Sequence, residues 1–193
     1  MDGLVFWLDG INKGDGASNQ WIDLVGGKVF ALSGEYRNEQ NGVYFSYGIG
    51  SFEGSVTSNW ESETIEIVCS GVTDNSVLFI QPLTSGGISA VQRTNQIVIC
   101  ADANNHQCFD VNAGCKCISA NKNLAIADGV NCTLGGNVSF RPYQTSTNIS
   151  RRIAGDNQFV GTIHAIRIYN RHLTAQEMLS NQQIDNTRFG LGL

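Results

Sequence analysis

The stretch from Phe159 to Asn181, FVGTIHAIRIYNRHLTAQEMLSN, changes its period half-way along. From Thr162 to Tyr169 it alternates, with Ile163, Ala165, Arg167 and Tyr169 on one face and Thr162, His164, Ile166 and Ile168 on the other. A period of two in a run rich in β-branched residues predicts a strand. Asn170-Arg171 breaks the run, and Thr174 with Glu177 three residues on has the spacing of a capping box. Leu173, Met178 and Leu179 then supply the apolar stripe of a short helix. A long strand closed by one short helix, this near the C-terminus, locks an all-β domain shut.

The remainder of the chain fits that reading. Gly3 to Gly10, GLVFWLDG, is an apolar strand ended by an Asp-Gly turn. Further strands are expected at 42–47, 64–68, 76–80, 88–92, 96–100, 117–119, 123–127, 132–134 and 138–140. Asp128-Gly129 and Gly135-Gly136-Asn137 make good hairpin turns. Short strands, turn signals between them and almost no helical period predict a sandwich or barrel. No repeat, low-complexity tract or linker divides the chain, so residues 1–193 are expected to form one domain.

The closing block also resembles a known family. Gly161, Ile163, Ile166 to Arg171, Leu173, Thr174 and Glu177 follow the pattern GxIxxIRIYNRxLTxxE, which is similar to the closing motif of LamG-like jelly-roll domains in the concanavalin A-like lectin/glucanase superfamily. GLVFWLDG with the later Trp21-Ile-Asp-Leu-Val-Gly resembles their opening. The trailing Asn186-Thr187-Arg188-Phe189-Gly190 resembles versions carried by phages and prophages of gut bacteria. The resemblance implies a two-sheet antiparallel jelly roll with a short C-terminal helix, and it makes Trp7 and Trp21 core residues. It also implies a place on a virion surface or outside the cell, with other virion proteins as partners.

Charge and hydropathy exclude several classes. A net charge of −5 with Arg151-Arg152 as the one doubled basic pair offers no stripe for phosphates, so nucleic acid is not an expected partner. No apolar run approaches the ~20 residues that span a bilayer, and MDGLVFWLDG lacks the basic start of a secretory signal. The six cysteines are 69, 100, 108, 115, 117 and 132. The group Cys108, Cys115, Cys117 with His106 nearby is a poor match to zinc spacings, and Cys69 and Cys100 read as small hydrophobes at strand ends. No metal ligand and no cofactor is assigned. The polar glycine loop with Asp9, Asn12, Asp15 and Asn19 reads as Asn/Asp turn chemistry, with calcium as the alternative.

Chemistry is sparse. Retaining glycosidases of the superfamily carry their carboxylates on one strand, since two carboxyls roughly 5 Å apart must flank the sugar bond. Glu61, Glu63 and Glu66 match that pattern poorly and read as a solvated strand entrance. His106 on a loop, His164 on the closing strand and His172 before the helix sit in no nucleophile elbow. No catalytic residue is therefore expected.

Binding remains. A sugar site wants an exposed aromatic face beside amide or carboxylate groups. Asn59 with Trp60 in a polar loop, and Arg141, Tyr143 and Gln144 in a Thr/Ser/Asn-rich stretch between strands, are the candidate ligand-binding residues. The expected function is a carbohydrate-binding or adhesion module that takes a cell-surface or mucosal glycan. The alternatives are a structural virion decoration or assembly protein that forms a homo-oligomer and takes no sugar ligand, and a glycoside hydrolase.

Overall fold

The computed structural model describes residues 2–14, 16, 18–46, 62–71, 114–121, 123–132 and 160–193 in full. The backbone of strands 51–58, 77–79, 89–93, 96–100, 106–110, 134–135 and 143–149 is described as well. In chain order the strands are β1 (Leu4–Asp9), β2 (Gln20–Ile22), β3 (Val29–Ser33), β4 (Tyr36–Glu39), β5 (Gly42–Phe45), β6 (Ser51–Ser58), β7 (Thr64–Ser70), β8 (Val77–Phe79) and β9 (Ser89–Arg93). They continue as β10 (Gln96–Cys100), β11 (His106–Asp110), β12 (Cys117–Asn121), β13 (Ala125–Ala127), β14 (Val130–Asn131), β15 (Leu134–Gly135), β16 (Tyr143–Ile149) and β17 (Gly161–Tyr169), before the helix α1 (Ala175–Phe189).

Every described ladder is antiparallel, and the strands build a two-layer sandwich. One layer is an eight-stranded sheet, β14-β13-β12-β7-β17-β5-β4, with β1 also paired to β17. The other carries the ladders β16-β6-β3-β2 and β15-β11-β10-β9-β8, with β16 approaching β8 within 8 Å. The main core fills the space between layers with Phe6, Leu8, Trp21, Phe30, Phe45 and Ile67, among others. The expected all-β class with a C-terminal helix is what the chain adopts. No described helix is long and apolar enough to cross a membrane.

The closing strand lies at the centre of the larger sheet. One side of β17 pairs along β7, and the other is shared end to end by β5 at Gly161 to Ile163 and β1 at Ala165 to Tyr169. Where β5 hands over to β1, the register against β7 slips between Ile163 and Ala165, leaving His164 as the extra residue of a bulge. The bulge overturns the expected parity. Ile163 joins Ile166 and Ile168 in the main core, while Ala165 and Tyr169 belong to clusters on the helix side.

The handover is crowded. The Gly10 amide donates to the His164 carbonyl at 2.7 Å. A Cβ on Gly10 would lie 2.6 Å from Asn41 O and from Gly42 Cα, and 2.8 Å from His164 O, all backbone atoms. Gly10→Ala is therefore expected to cost about 1–3 kcal/mol, the usual range for overpacking, read from urea unfolding. An unchanged midpoint would mean the junction is looser than described.

Several expected boundaries shift. The polar strands β4, β6, β11 and β16 were not expected, and His106 opens β11 instead of lying on a loop. The stretch from Tyr143 to Ile149 is a strand, not a connection. The expected strand at 132–134 is replaced by β14 and β15, and that at 138–140 lies outside the described residues. The Asp128-Gly129 turn forms as expected, with φ of 49° and 80° joining β13 to β14. Two positive φ values match the twist of a two-residue hairpin.

Helix α1 begins as the spacing predicts. Thr174 Oγ1 accepts from the Glu177 amide, the Glu177 carboxylate accepts from the Thr174 amide, and Gly190 ends the helix in the left-handed region. The expected stripe forms at its start, with Leu173 and Met178 buried in one cluster and Leu179 packed against it. Beyond Met178 the buried face turns polar, with Gln182 and Asp185 buried before Phe189.

Candidate functional site

Strand pairing gives the backbone position of two of the candidate binding residues, Tyr143 and Gln144. Tyr143 opens β16 opposite Ser58, the last residue of β6, and Gln144 faces Thr57. Asn59 and Trp60 follow Ser58 directly in sequence, and Arg141 precedes Tyr143 by two positions. The last residue of β6 and the first of β16, far apart in the chain, thus meet at one end of the β6–β16 pair, with β16 the outer strand of that ladder. Asn59, Trp60 and Arg141 lie outside the described residues, and Tyr143 and Gln144 are described by backbone alone.

The face under α1 carries a different set. Glu66 on β7, Arg167 on β17 and Asp185 on α1 are each 1–2% exposed. Arg167 binds Asp185 with both terminal nitrogens, at 2.7 and 2.6 Å, and reaches Glu66 Oε2 at 3.4 Å. Glu66 also accepts from Ser119 Oγ at 3.1 Å, Tyr169 Oη at 3.2 Å and Asn181 Nδ2 at 3.0 and 3.1 Å. Gln182 bridges Ser119 Oγ and the Ile126 carbonyl while its own oxygen accepts from the Gly129 amide. Burial pushes the Glu66 carboxyl up, against the pull of Arg167 and Asn181. Buried polar groups need partners, and this seam supplies them for every group named here except Arg167 Nε, which is buried without one.

Two carboxylates of the poor glycosidase match are thereby placed. Glu66 is spent on the helix seam, and Glu63 is buried rather than solvated, at 6% exposure. Glu61 lies outside the described residues. The expected solvated strand entrance is corrected by α1 and the chain leading into it, which lie over β7. Thr64 Oγ1, for example, donates to the Arg171 carbonyl and accepts from the Leu173 amide.

Other sequence candidates turn out to be structural. Asp9 Oδ1 accepts from the amides of Ile11 at 2.9 Å and Asn12 at 3.2 Å, and Oδ2 is paired with Arg188. That is turn chemistry plus an ion pair. Asn12 and Asn19 are exposed, Asp15 lies outside the described residues, and no cluster of three metal-ligating side chains occurs among those described. Cys115 packs in the main core while Cys117 packs on the helix side of its sheet, so the two thiols serve different layers. Burial pushes Cys115 up to about 12 and Cys117 higher still, keeping both protonated.

Trp21 is a core residue, fully buried with its indole N–H donating to the Asp9 carbonyl at 3.0 Å. Trp7 is not. It is half-buried on the opposite face of β1 from Phe6 and Leu8, and the guanidinium carbons of Arg167 and Arg188 lie 5.6 and 5.4 Å from its ring. Alternation along β1 forces this, because Phe6 and Leu8 already occupy the core face.

His164 is a packing residue with a pH consequence. Its ring stacks on Phe189 at 5.2 Å, Nδ1 contacts the Asn41 carbonyl and Nε2 the Ser70 hydroxyl, both at 2.7 Å. A carbonyl only accepts, so Nδ1 carries the proton and the neutral ring accepts from Ser70. Burial holds its pKa below the ordinary 6.5. A base with a depressed folded pKa lends stability above its unfolded pKa and loses it as pH falls. Stability is thus expected to drop below about pH 6.5, and His164→Gln to flatten that slope in urea titrations. An unchanged slope would assign the loss to other groups.

No protein-family model matches the chain, and no curated protein does. Solved structures match in fold. A Trypanosoma rangeli sialidase in complex with 2,3-difluorosialic acid (a covalent intermediate) superposes with a TM-score of 0.69 at 16% identity, over 96% of this chain and 33% of the sialidase. The same sialidase with the inhibitor DANA gives 0.68 at 16% identity, over 94% and 33%. A structure of botulinum neurotoxin type C, whose cell entry is dependent upon interaction with two ganglioside molecules, gives 0.68 at 11% identity, over 94% and 51%. The chain spans a third to a half of the structures it matches, and at these identities the likeness is one of fold. It is a β-sandwich.

Proposed function

We propose that the chain is a non-enzymatic carbohydrate-binding module of LamG-like type, displayed on a phage particle, that takes a surface or mucosal glycan at the β6–β16 end. The observation that supports this reading is the register Tyr143 to Ser58, which sets the start of β16 beside the residue that precedes Asn59 and Trp60 in sequence. The ganglioside dependence of the neurotoxin with the same fold supports it, as does the commitment of the α1-covered carboxylates to structural bonds. The phage setting rests on the opening and closing motifs. Weak sites repeated on a particle would gain strength by avidity.

The test is a glycan array with the domain displayed multivalently, with and without calcium. Binding to a defined glycan class, lost in Trp60→Ala and Tyr143→Ala while the far-UV spectrum is kept, supports the site. A blank array in both conditions overturns it.

A structural assembly role is the second reading, favoured by the exposed Ile11, Val25 and Val29, each 47–49% accessible. Light scattering after size exclusion separates the two, since an assembly protein runs as a defined oligomer.

A further inference from the structure

We infer that the open cleft of about 270 Å³ between the end of β17 and the first turns of α1 is a second binding site, for a single neutral sugar ring. Tyr169, Arg171, Gln176, Glu177, Ser180 and Asn181 line it. The volume falls just below the ~300–1,000 Å³ of drug-sized pockets, which suits one ring and not an oligosaccharide.

The choice of ligand follows from which groups are already spent. Arg171 grips Glu177 with two bonds, at 2.6 and 3.1 Å, and also pairs with Asp2 at 3.4 Å. Glu177 takes two further bonds from Thr174, and the Arg171 contact first among these holds its carboxyl at about 2, so it stays ionised. Two carboxylates therefore surround one guanidinium, leaving no unpaired cation for an acidic sugar.

The unspent groups are neutral. Asn181 uses its amide hydrogens on Glu66 and Tyr169 Oη, while its oxygen accepts from no described residue. Gln176 makes one long contact, 3.5 Å to Ser180 Oγ, which leaves its oxygen and the serine proton available. Two amide oxygens and a hydroxyl match the vicinal hydroxyls of a sugar, which both donate and accept. The floor is preorganised, because Asn181 and Tyr169 are pinned from beneath by the buried Glu66.

None of the described lining residues belongs to β6 or β16, and the test of this site is separable. The full chain, labelled with ¹⁵N, is titrated with glucose, galactose, mannose and N-acetylglucosamine, and with N-acetylneuraminic acid as the charged control. Saturable shifts of the amides from Leu173 to Asn181 are expected with at least one neutral sugar at millimolar Kd. Gln176→Ala should weaken that binding roughly tenfold, the worth of about one hydrogen bond. Ser180→Tyr should abolish it by filling the cleft, and Trp60→Ala should leave it intact. If Ser180→Tyr fails to fold, the exposed Gln176→Ala decides alone. The proposal is overturned if no neutral sugar moves these amides, if Gln176→Ala binds unchanged, or if the acidic sugar binds as well. Any of those results leaves the array test of the β6–β16 end standing.

Discussion

Arg167→Met is expected to destabilise the domain by about 3–5 kcal/mol, the range for removing one member of a buried ionic set. The guanidinium is the one cation in contact with Glu66 and Asp185 among the described residues, and all three side chains are 2–3% exposed. Methionine keeps much of the length but leaves two carboxylates under α1 without their shared partner. Burial already pushes Glu66 up, so the variant should relieve its repulsion by taking a proton there. A carboxyl with a raised folded pKa contributes stability below its unfolded pKa and loses it as pH rises through the folded one. The deficit of Arg167→Met should thus shrink toward acid pH. Urea unfolding followed by circular dichroism at several pH values checks both statements. A loss near 0–1 kcal/mol, as at an exposed pair, would show that the seam is more open to water than described.

Trp21→Ala is the second large effect, expected at about 3–5 kcal/mol for a large aromatic removed from a core. Trp21 has no exposed surface and packs in the same cluster as Phe6, Leu8 and Phe30, where Phe6 and Phe30 meet edge to face at 5.4 Å. Its loss also frees the Asp9 carbonyl, which accepts the indole N–H just before the crowded Gly10. Trp7→Ala is expected to cost clearly less, because Trp7 is half-buried and packs outside the main core. Calorimetric melting of the two variants compares them directly. Equal losses would contradict the separation of Trp7 from the core.

What was legible depended on whether the signal was local. The capping box of α1 and the turn at Asp128-Gly129 each rest on a few neighbouring residues, and both form as read. The strands β6 and β16 were missed because their sequences, SFEGSVTS and YQTSTNI, are rich in Ser, Thr and other polar residues. A strand with little apolar alternation has no periodic signal, and only its pairing partner defines it. The same limit applied to the candidate site. Asn59-Trp60 and Tyr143-Gln144 could be chosen separately for their chemistry, but only the β6–β16 register shows that Tyr143 lies opposite Ser58, the residue before Asn59 in sequence.

The chain by itself determined the class of fold, since a period of two along Thr162 to Tyr169 and a capped helix behind it leave few other packings. Tertiary structure decided the rest. The bulge at His164 arises because β5 and β1 must share one side of β17, a long-range fact that reverses the face on which Ile163 falls. Glu66 reads as a solvated charge in sequence, and nothing local marks Arg167 as buried. They become interior groups because α1 folds back over β7 and β17 and brings Asp185 and Asn181 to meet them. Burial is a property of what lies on top, and no local pattern records it.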